Sequence, residues 1–261
     1  MDLLFTPLYW QGLGFILLLT SILWLLSLYW KDSSIVDVFW GLGFVLIYWF
    51  FVFKSGQELD LKTGLLGILL SIWGLRLSLH IGWRNLGKGE DYRYQAFRAA
   101  SGRHYWWVSW FQVFALQGVL LWLIATPLAH VALSSPTPFS YWDGLGIGLW
   151  LLGFGFEAVA DEQLRRFKSK PTNKGKVLDK GLWRYSRHPN YFGDALLWWG
   201  YFCFALALPD GILLVFSPLL MTFLLMRVSG VPLLEKRLKS TRPEYADYVQ
   251  RTSAFFPWWR K

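Results

Sequence analysis

Apolar residues along this chain gather into seven runs separated by short polar or basic stretches. They fall at about 8–29, 33–53, 63–83, 106–133, 143–163, 191–208 and 211–228. Each approaches the roughly 20 residues needed to cross a bilayer. The pattern therefore predicts an all-α polytopic membrane protein with about seven transmembrane helices. Pro127 lies inside the fourth run and is expected to end or kink it. Only the turn signal Leu208-Pro209-Asp210-Gly211 separates the sixth run from the seventh. The opening Met1-Asp2-Leu3-Leu4-Phe5 lacks the positive segment of a cleaved signal peptide, so the first run is expected to stay as a helix. No Pro/Ser-rich linker or internal repeat interrupts the pattern, and 1–261 reads as a single transmembrane domain.

Composition agrees: 54% of residues are hydrophobic and 20% aromatic, with 18 Trp, which suits the aromatic belts at membrane interfaces. Charge then sets the orientation. Of 26 basic residues, 23 fall in the first short turn, in loops 84–104 and 164–190, and from 227 onward. A seven-helix chain puts all four regions on one side, so the N-terminus is expected outside and the C-terminus in the cytosol. The net charge of +9 is thus explained by topology, and no nucleic-acid partner is implied. Cys203 is the only cysteine, which excludes an intrachain disulfide. Four His and one Cys make no convincing metal site, and no soluble Rossmann fingerprint is present.

Ionisable residues inside apolar helices are expensive and point to function. Asp37 opens the second run. Arg76, His80 and Arg84 recur every fourth residue on the third and share one face. Gln112 and Gln117 lie in the fourth; Glu157, Asp161, Arg165 and Lys168 line the fifth; Asn190 and Asp194 start the sixth; Arg227 ends the seventh. Nearly all lie in the cytosolic half, which implies a polar chamber open to the cytosol. The plainer reading is pairing at helix ends, for instance of Arg84 with Asp37.

The basic loops add candidate anion contacts: Lys88, Arg93 and Arg98 near the two glycines of Gly87-Lys88-Gly89. In Arg184-Tyr185-Ser186-Arg187-His188-Pro189-Asn190-Tyr191-Phe192-Gly193-Asp194, three basic residues crowd the start of a helix. The helix dipole disfavours cations there, so a compensating anion is expected, and a phosphate would serve. The tail from Pro232 to Trp259, with Glu235, Lys236, Arg242, Tyr245, Tyr248 and Arg251, suggests a short amphipathic helix.

The Arg187–Asp194 run, with Asp161, Arg165 and Lys168 upstream and Glu235 to Pro257 downstream, resembles the cofactor region of the steroid 5-alpha-reductase family. Trp73-Gly74-Leu75-Arg76 and the Arg84–Tyr94 loop resemble its bacterial branch of mostly unassigned substrate. The similarity is most specific over 157–257. It implies a seven-helix, NADPH-dependent reductase of conjugated enones in a bacterial inner membrane, with its active site facing the cytosol. By position, Asp161, Arg165, Lys168, Arg184, Tyr185, Arg187, His188, Asn190, Tyr191 and Asp194 would hold the cofactor. Arg84, Lys88, Arg227, Arg242 and Tyr245 would add to it. The family commonly has Glu in place of Asp194. It polarises the substrate carbonyl with a Glu on the second helix and a Tyr on the third. Here the second helix offers Asp37 and the third offers no Tyr, leaving His80, Arg76 or a folded-back Tyr94 as donors. An apolar or lipid-like substrate would enter from the bilayer, and no obligate protein partner is evident.

Two other classes fit parts of the pattern. Membrane methyltransferases of the prenylcysteine or phospholipid type carry a similar Arg-His-Pro turn and bind S-adenosylmethionine, although that donor has no phosphate for so many cations. A non-enzymatic protein could use the basic face to bind anionic lipid or a partner, but would not need the intramembrane polar stripes.

Overall fold

In hydrocarbon every backbone amide needs a partner within its own element, and the apolar runs satisfy this as helices. The computed structural model describes residues 2–228 and 230–259; the side chain of Lys236 lies outside the described residues. Among the described residues there is no strand. Six segments are long and apolar enough to cross a membrane: Pro7–Trp30, Ile35–Ser55, Leu61–Asn85, Tyr92–Ile124, Tyr141–Ser169 and Gly211–Val228. The chain is a multi-pass integral membrane protein. The remaining expected span, Pro189–Leu206, is helical but is not among the six. Its opening Pro-Asn-Tyr-Phe-Gly-Asp is polar, and 11 of its 18 residues are buried, as suits the central helix of its unit.

The chain divides into two units, 1–139 with 208–211, and 140–207 with 212–261. In the first, α1 (Pro7–Trp30), α2 (Ile35–Ser55) and α3 (Leu61–Asn85) are followed by α4 (Tyr92–Ser101). The basic loop 84–104 holds this helix, and Asp91 caps it by accepting from the Arg93 amide at 3.0 Å. Next come α5 (105–124), which includes a π turn at Trp110–Ala115, and α6 (Thr126–Leu133). The helix is interrupted at Ala125, two residues before Pro127, as its sequence predicts.

The Tyr92–Ile124 segment is not one straight rod. A straight helix would separate Tyr94 from Gln117 by about 35 Å, whereas their side chains meet at 3.3 Å. The chain therefore turns back after α4, at Gly102, where φ is 51°. Elsewhere in this unit, α2 and α3 approach through Gly41 and Gly74; a Cβ on Gly41 would lie 2.5 Å from the Gly74 carbonyl. Tyr9 on α1 hydrogen-bonds Thr126 at 2.8 Å.

In the second unit, α7 (Tyr141–Ser169) packs against α8 (Pro189–Leu206). Ser140 and Asp143 close a capping box at the start of α7. Two glycine pairs set the approach: Gly146 against Gly200 and Gly153 against Gly193, each with the added Cβ 2.5–2.7 Å from opposing backbone. Both helices space their glycines seven residues apart, so one face meets one face. Then come α9 (Phe216–Phe223), continued by a π turn at Leu224–Val228, α10 (Val231–Thr241) and α11 (Tyr245–Arg251). The tail thus holds two short helices where one was expected.

Candidate functional site

The first unit gathers its polar groups where α2 begins. Asp37 Oδ1 accepts from the Tyr94 hydroxyl at 2.6 Å and Oδ2 from Arg93 Nη2 at 2.5 Å. Gln117 Nε2 donates to the Tyr94 oxygen at 3.3 Å. Tyr94 is buried and Asp37 half-buried. The Arg84 partner suggested for Asp37 is not the one found: Arg84 is exposed and its Nε donates to Asn85 at 3.2 Å. The reason lies in α4, whose residues 94 and 98 share one face with the capping Asp91, where the Asp91 amide donates to Ser34 Oγ in the α1–α2 connection. There Arg98 forks onto Glu90 at 2.8 and 2.9 Å, and Glu90 also accepts from the Ser33 amide at 2.9 Å. Burial pushes the Glu90 carboxyl up, but the Arg98 and Ser33 bonds outweigh it and hold it below its ordinary value. Asp91 is likewise held low, Arg93 outweighing burial. Arg76 and His80 sit half-buried one turn apart on α3, and Lys88 is exposed beyond its end.

The second unit builds its centre on the glycine contacts. Because Gly193 lies against Gly153 and Glu157, the start of α8 reaches the polar stripe of α7, and Asn190 Nδ2 donates to Asp161 Oδ1 at 3.0 Å. Glu157 and Asp161 are buried; Tyr191 and Asp194 are half-buried on α8.

The anion demanded by the crowded basic start of α8 is supplied by the chain itself. Arg187 Nε and His188 Nε2 both lie on Glu235 Oε1, at 2.8 and 3.4 Å. Arg187 also donates to the carbonyls of Val249 and Thr252, at 3.1 and 2.5 Å, satisfying the open end of α11. Ser186 Oγ donates to Phe255 O at 2.8 Å, the Arg187 amide to Ser253 O at 2.8 Å, and the Trp258 amide to Tyr185 O at 3.0 Å. The Tyr248 hydroxyl donates to Trp183 O. These bonds form a latch that fastens the tail to the 181–188 loop.

Electrostatics follow the geometry. Burial pushes the Glu235 carboxyl up, but His188 and Arg187 overcome it and bring it down to about 2. Burial pulls the His188 imidazole below its ordinary value, and Glu235 only partly offsets this. The Tyr245 phenol, buried beside the same carboxylate, is raised.

The remaining candidates face outward. Lys168, Arg184 and Arg227 are exposed, and Arg165 is exposed with its Nε 2.6 Å from Glu162. Arg242 bonds the Lys176 carbonyl, and Tyr185 packs on Trp259 with centroids 5.7 Å apart. The sequence reading did not anticipate the roles of Ser186, Gln117 and the glycine pairs. The seven-residue glycine spacing on both helices was the readable sign of the last.

Fold and sites together define an all-helical multi-pass membrane protein with a carboxylate–phenol centre in one unit and a latched amide–carboxylate centre in the other. The chain belongs to the family described as protein of unknown function DUF1295, whose profile matches residues 23–252. It is 26% identical over 278 residues to the uncharacterized protein C594.04c of Schizosaccharomyces pombe, across 94% of this chain and 78% of that protein. No solved structure matches significantly.

Proposed function

We propose that this chain is an NADPH-dependent membrane reductase of the steroid 5-alpha-reductase type, acting on the conjugated double bond of an apolar, steroid- or lipid-like enone. The observation that carries this reading is the Tyr94–Asp37 hydrogen bond at 2.6 Å. It pairs a carboxylate on the second helix with a phenol that folds back to it, the same two chemical groups that polarise the carbonyl in that family. Arg93 compensates the Asp37 charge, so the Tyr94 proton can turn to a substrate oxygen without leaving a bare carboxylate. A phenol placed there stabilises the enolate oxygen as it develops. The proton on the α carbon comes from solvent.

The second unit suits the cofactor. Lys168 and Arg184 are exposed cations suited to phosphates. The Asn190–Asp161 pair offers donor and acceptor to hydroxyl or carboxamide groups. Arg187 and His188 act at one remove, by holding the loop that carries Arg184. When bound, NADPH supplies the hydride that ends on the β carbon.

The deciding experiment titrates the detergent-purified protein with NADPH, NADH and S-adenosylmethionine. Trp energy transfer follows the nicotinamides and calorimetry the methyl donor. Selective NADPH binding, lost in Asn190→Ala while the thermal transition is kept, is the expected result. Binding of S-adenosylmethionine alone would reassign the latch to a methyltransferase, which it would serve equally well. Binding of none of the three would favour the lipid- or partner-binding reading.

A further inference from the structure

The second unit runs out through Phe255-Phe256-Pro257-Trp258-Trp259, and Arg260 and Lys261 follow in sequence. Phe255 is buried, whereas Phe256 is 60%, Trp258 69% and Trp259 76% exposed. These rings do not sit on a loose end. Ser186 Oγ donates to the Phe255 carbonyl at 2.8 Å, and the Trp258 amide donates to Tyr185 O at 3.0 Å, so the backbone is pinned on both sides of Pro257. The latch thus holds three large apolar rings outward, a placement that water disfavours.

What covers them follows from their depth. Phe256 packs on Phe192 of α8 with centroids 6.1 Å apart, and Phe192 packs on Phe156 of α7 at 5.3 Å. Phe156 belongs to the membrane-spanning segment Tyr141–Ser169. The exposed Tyr141 and Trp142 mark one end of that crossing. The roughly 20 residues a crossing needs then end near the ion pairs of Glu162 with Arg165 and Arg166. Phe156 is about 9 Å inside that basic edge at 1.5 Å per residue, and its side chain tilts further inward, towards the start of α7. Two ring contacts can raise Phe256 only to about the level of the edge. Trp259 packs on Tyr185 at 5.7 Å, and Tyr185 precedes α8, beyond Phe192 on the basic side. A phenyl ring at the hydrocarbon edge, indoles just beyond it and the exposed Arg184 next to Tyr185 follow the order of groups that a bilayer interface favours.

We infer that Phe256, Trp258 and Trp259 form an interfacial anchor, seated in the headgroup layer of the bilayer on the basic side of the membrane. The tail, having left the membrane after Val228, returns to its surface and ties the latch to lipid. Phe192 continues the anchor into the surface that α7 and α8 already bury in the bilayer. The anchor is independent of the reductase reading.

The test places a nitroxide at position 258, through Trp258→Cys/Cys203→Ser, in the full chain reconstituted in phosphatidylcholine bilayers. Nitroxides introduced through Lys174→Cys/Cys203→Ser, at an exposed loop residue, and Leu151→Cys/Cys203→Ser, at an exposed residue of α7, give the water and hydrocarbon standards. Collision with a water-confined nickel chelate should be several-fold lower at 258 than at 174. Collision with lipid-soluble oxygen should be higher at 258 than at 174 and lower than at 151. Nickel collision at 258 equal to that at 174 would overturn the anchor. So would low collision with both reagents, which would mark cover by protein, a second copy or a partner, in place of lipid. A second measurement keeps the Trp258 ring. In bilayers carrying a diazirine-bearing phosphatidylcholine, the peptide that follows Arg251 in the unaltered chain should be photolabelled. Its labelling should fall several-fold in Phe256→Ser/Trp258→Ser/Trp259→Ser while the peptides of α7 keep theirs. An unlabelled tail beside labelled α7 peptides, or full labelling of the triple variant, would overturn the anchor as well.

Discussion

Arg187 and Glu235 form a buried ion pair, with the guanidinium Nε 2.8 Å from the carboxylate. A residue that reads in sequence as a phosphate ligand thus joins the loop before α8 to α10 and, through its other nitrogens, to the end of α11. Such a pair leaves a strongly unfavourable charge behind when one partner is removed, about 3–5 kcal/mol in comparable buried settings.

Arg187→Ala should therefore destabilise the second unit by about 3 kcal/mol and release the tail. Limited proteolysis should cut near 241–258 before the unaltered protein is cut anywhere. Arg187→Lys should rescue little, because one ammonium cannot span Glu235 and two carbonyls. A tail as resistant in Arg187→Ala as in the unaltered protein would show that the latch is not needed to hold it.

The latch should also weaken in acid. Glu235 titrates in the folded state at about 2 against an ordinary 4.5, so its stabilisation is complete above about 4.5 and is lost as pH falls towards 2. His188 is also held below its ordinary 6.5. Its neutral form is the folded one, and its contribution is lost as pH falls below 6.5. Thermal midpoints measured from pH 8 to 3 should fall in two stages. Glu235→Gln should remove the lower stage, and a two-stage profile kept in that variant would refute the assignment.

Glycines on α7 should differ in tolerance by position. A Cβ on Gly153 would lie 2.6 Å from Gly193 O and from Leu197 N, whereas one on Gly148 meets nothing within 4 Å. Gly153→Ala should cost about 1–3 kcal/mol by forcing the helices apart. It should also loosen Asn190 from Asp161 and weaken cofactor binding. Gly148→Ala should be neutral or stabilising by up to about 1 kcal/mol. Denaturation in mild detergent separates the two.

The apolar runs were legible because length and hydropathy alone decide a span, and Pro127 marked its break. α4 was not, because a polar ten-residue helix carries no membrane signal and its reversal at Gly102 depends on one φ angle. Helix-end proximity in the sequence pairs Arg84 with Asp37. Turning α4 back brought Arg93 and Tyr94 there instead. Around His188 the chemistry was readable and the source was not. The need for an anion followed from the helix dipole, but Glu235 lies 47 residues away and nothing local announces it. Internal satisfaction by a carboxylate and by phosphate look alike in a sequence.

The reductase reading turns on Tyr94 and Asp37. Tyr94→Phe removes the proton proposed to meet the substrate oxygen while keeping the ring that packs with Val36, Val113 and Phe114. Its fold should survive, since Asp37 keeps Arg93 and Gln117 is only half-buried. Loss of one preorganised donor to a developing oxyanion costs roughly 100- to 1,000-fold in turnover. NADPH oxidation driven by an enone library should fall by that amount in Tyr94→Phe, with the NADPH dissociation constant unchanged. Asp37→Asn should lower turnover less, because the amide still orients the phenol although it no longer attracts its proton. The double variant should be no slower than Tyr94→Phe alone, as expected of two groups acting as one unit. If both single variants kept full turnover, the pair would be structural and the donor would have to be sought at His80 or Arg76.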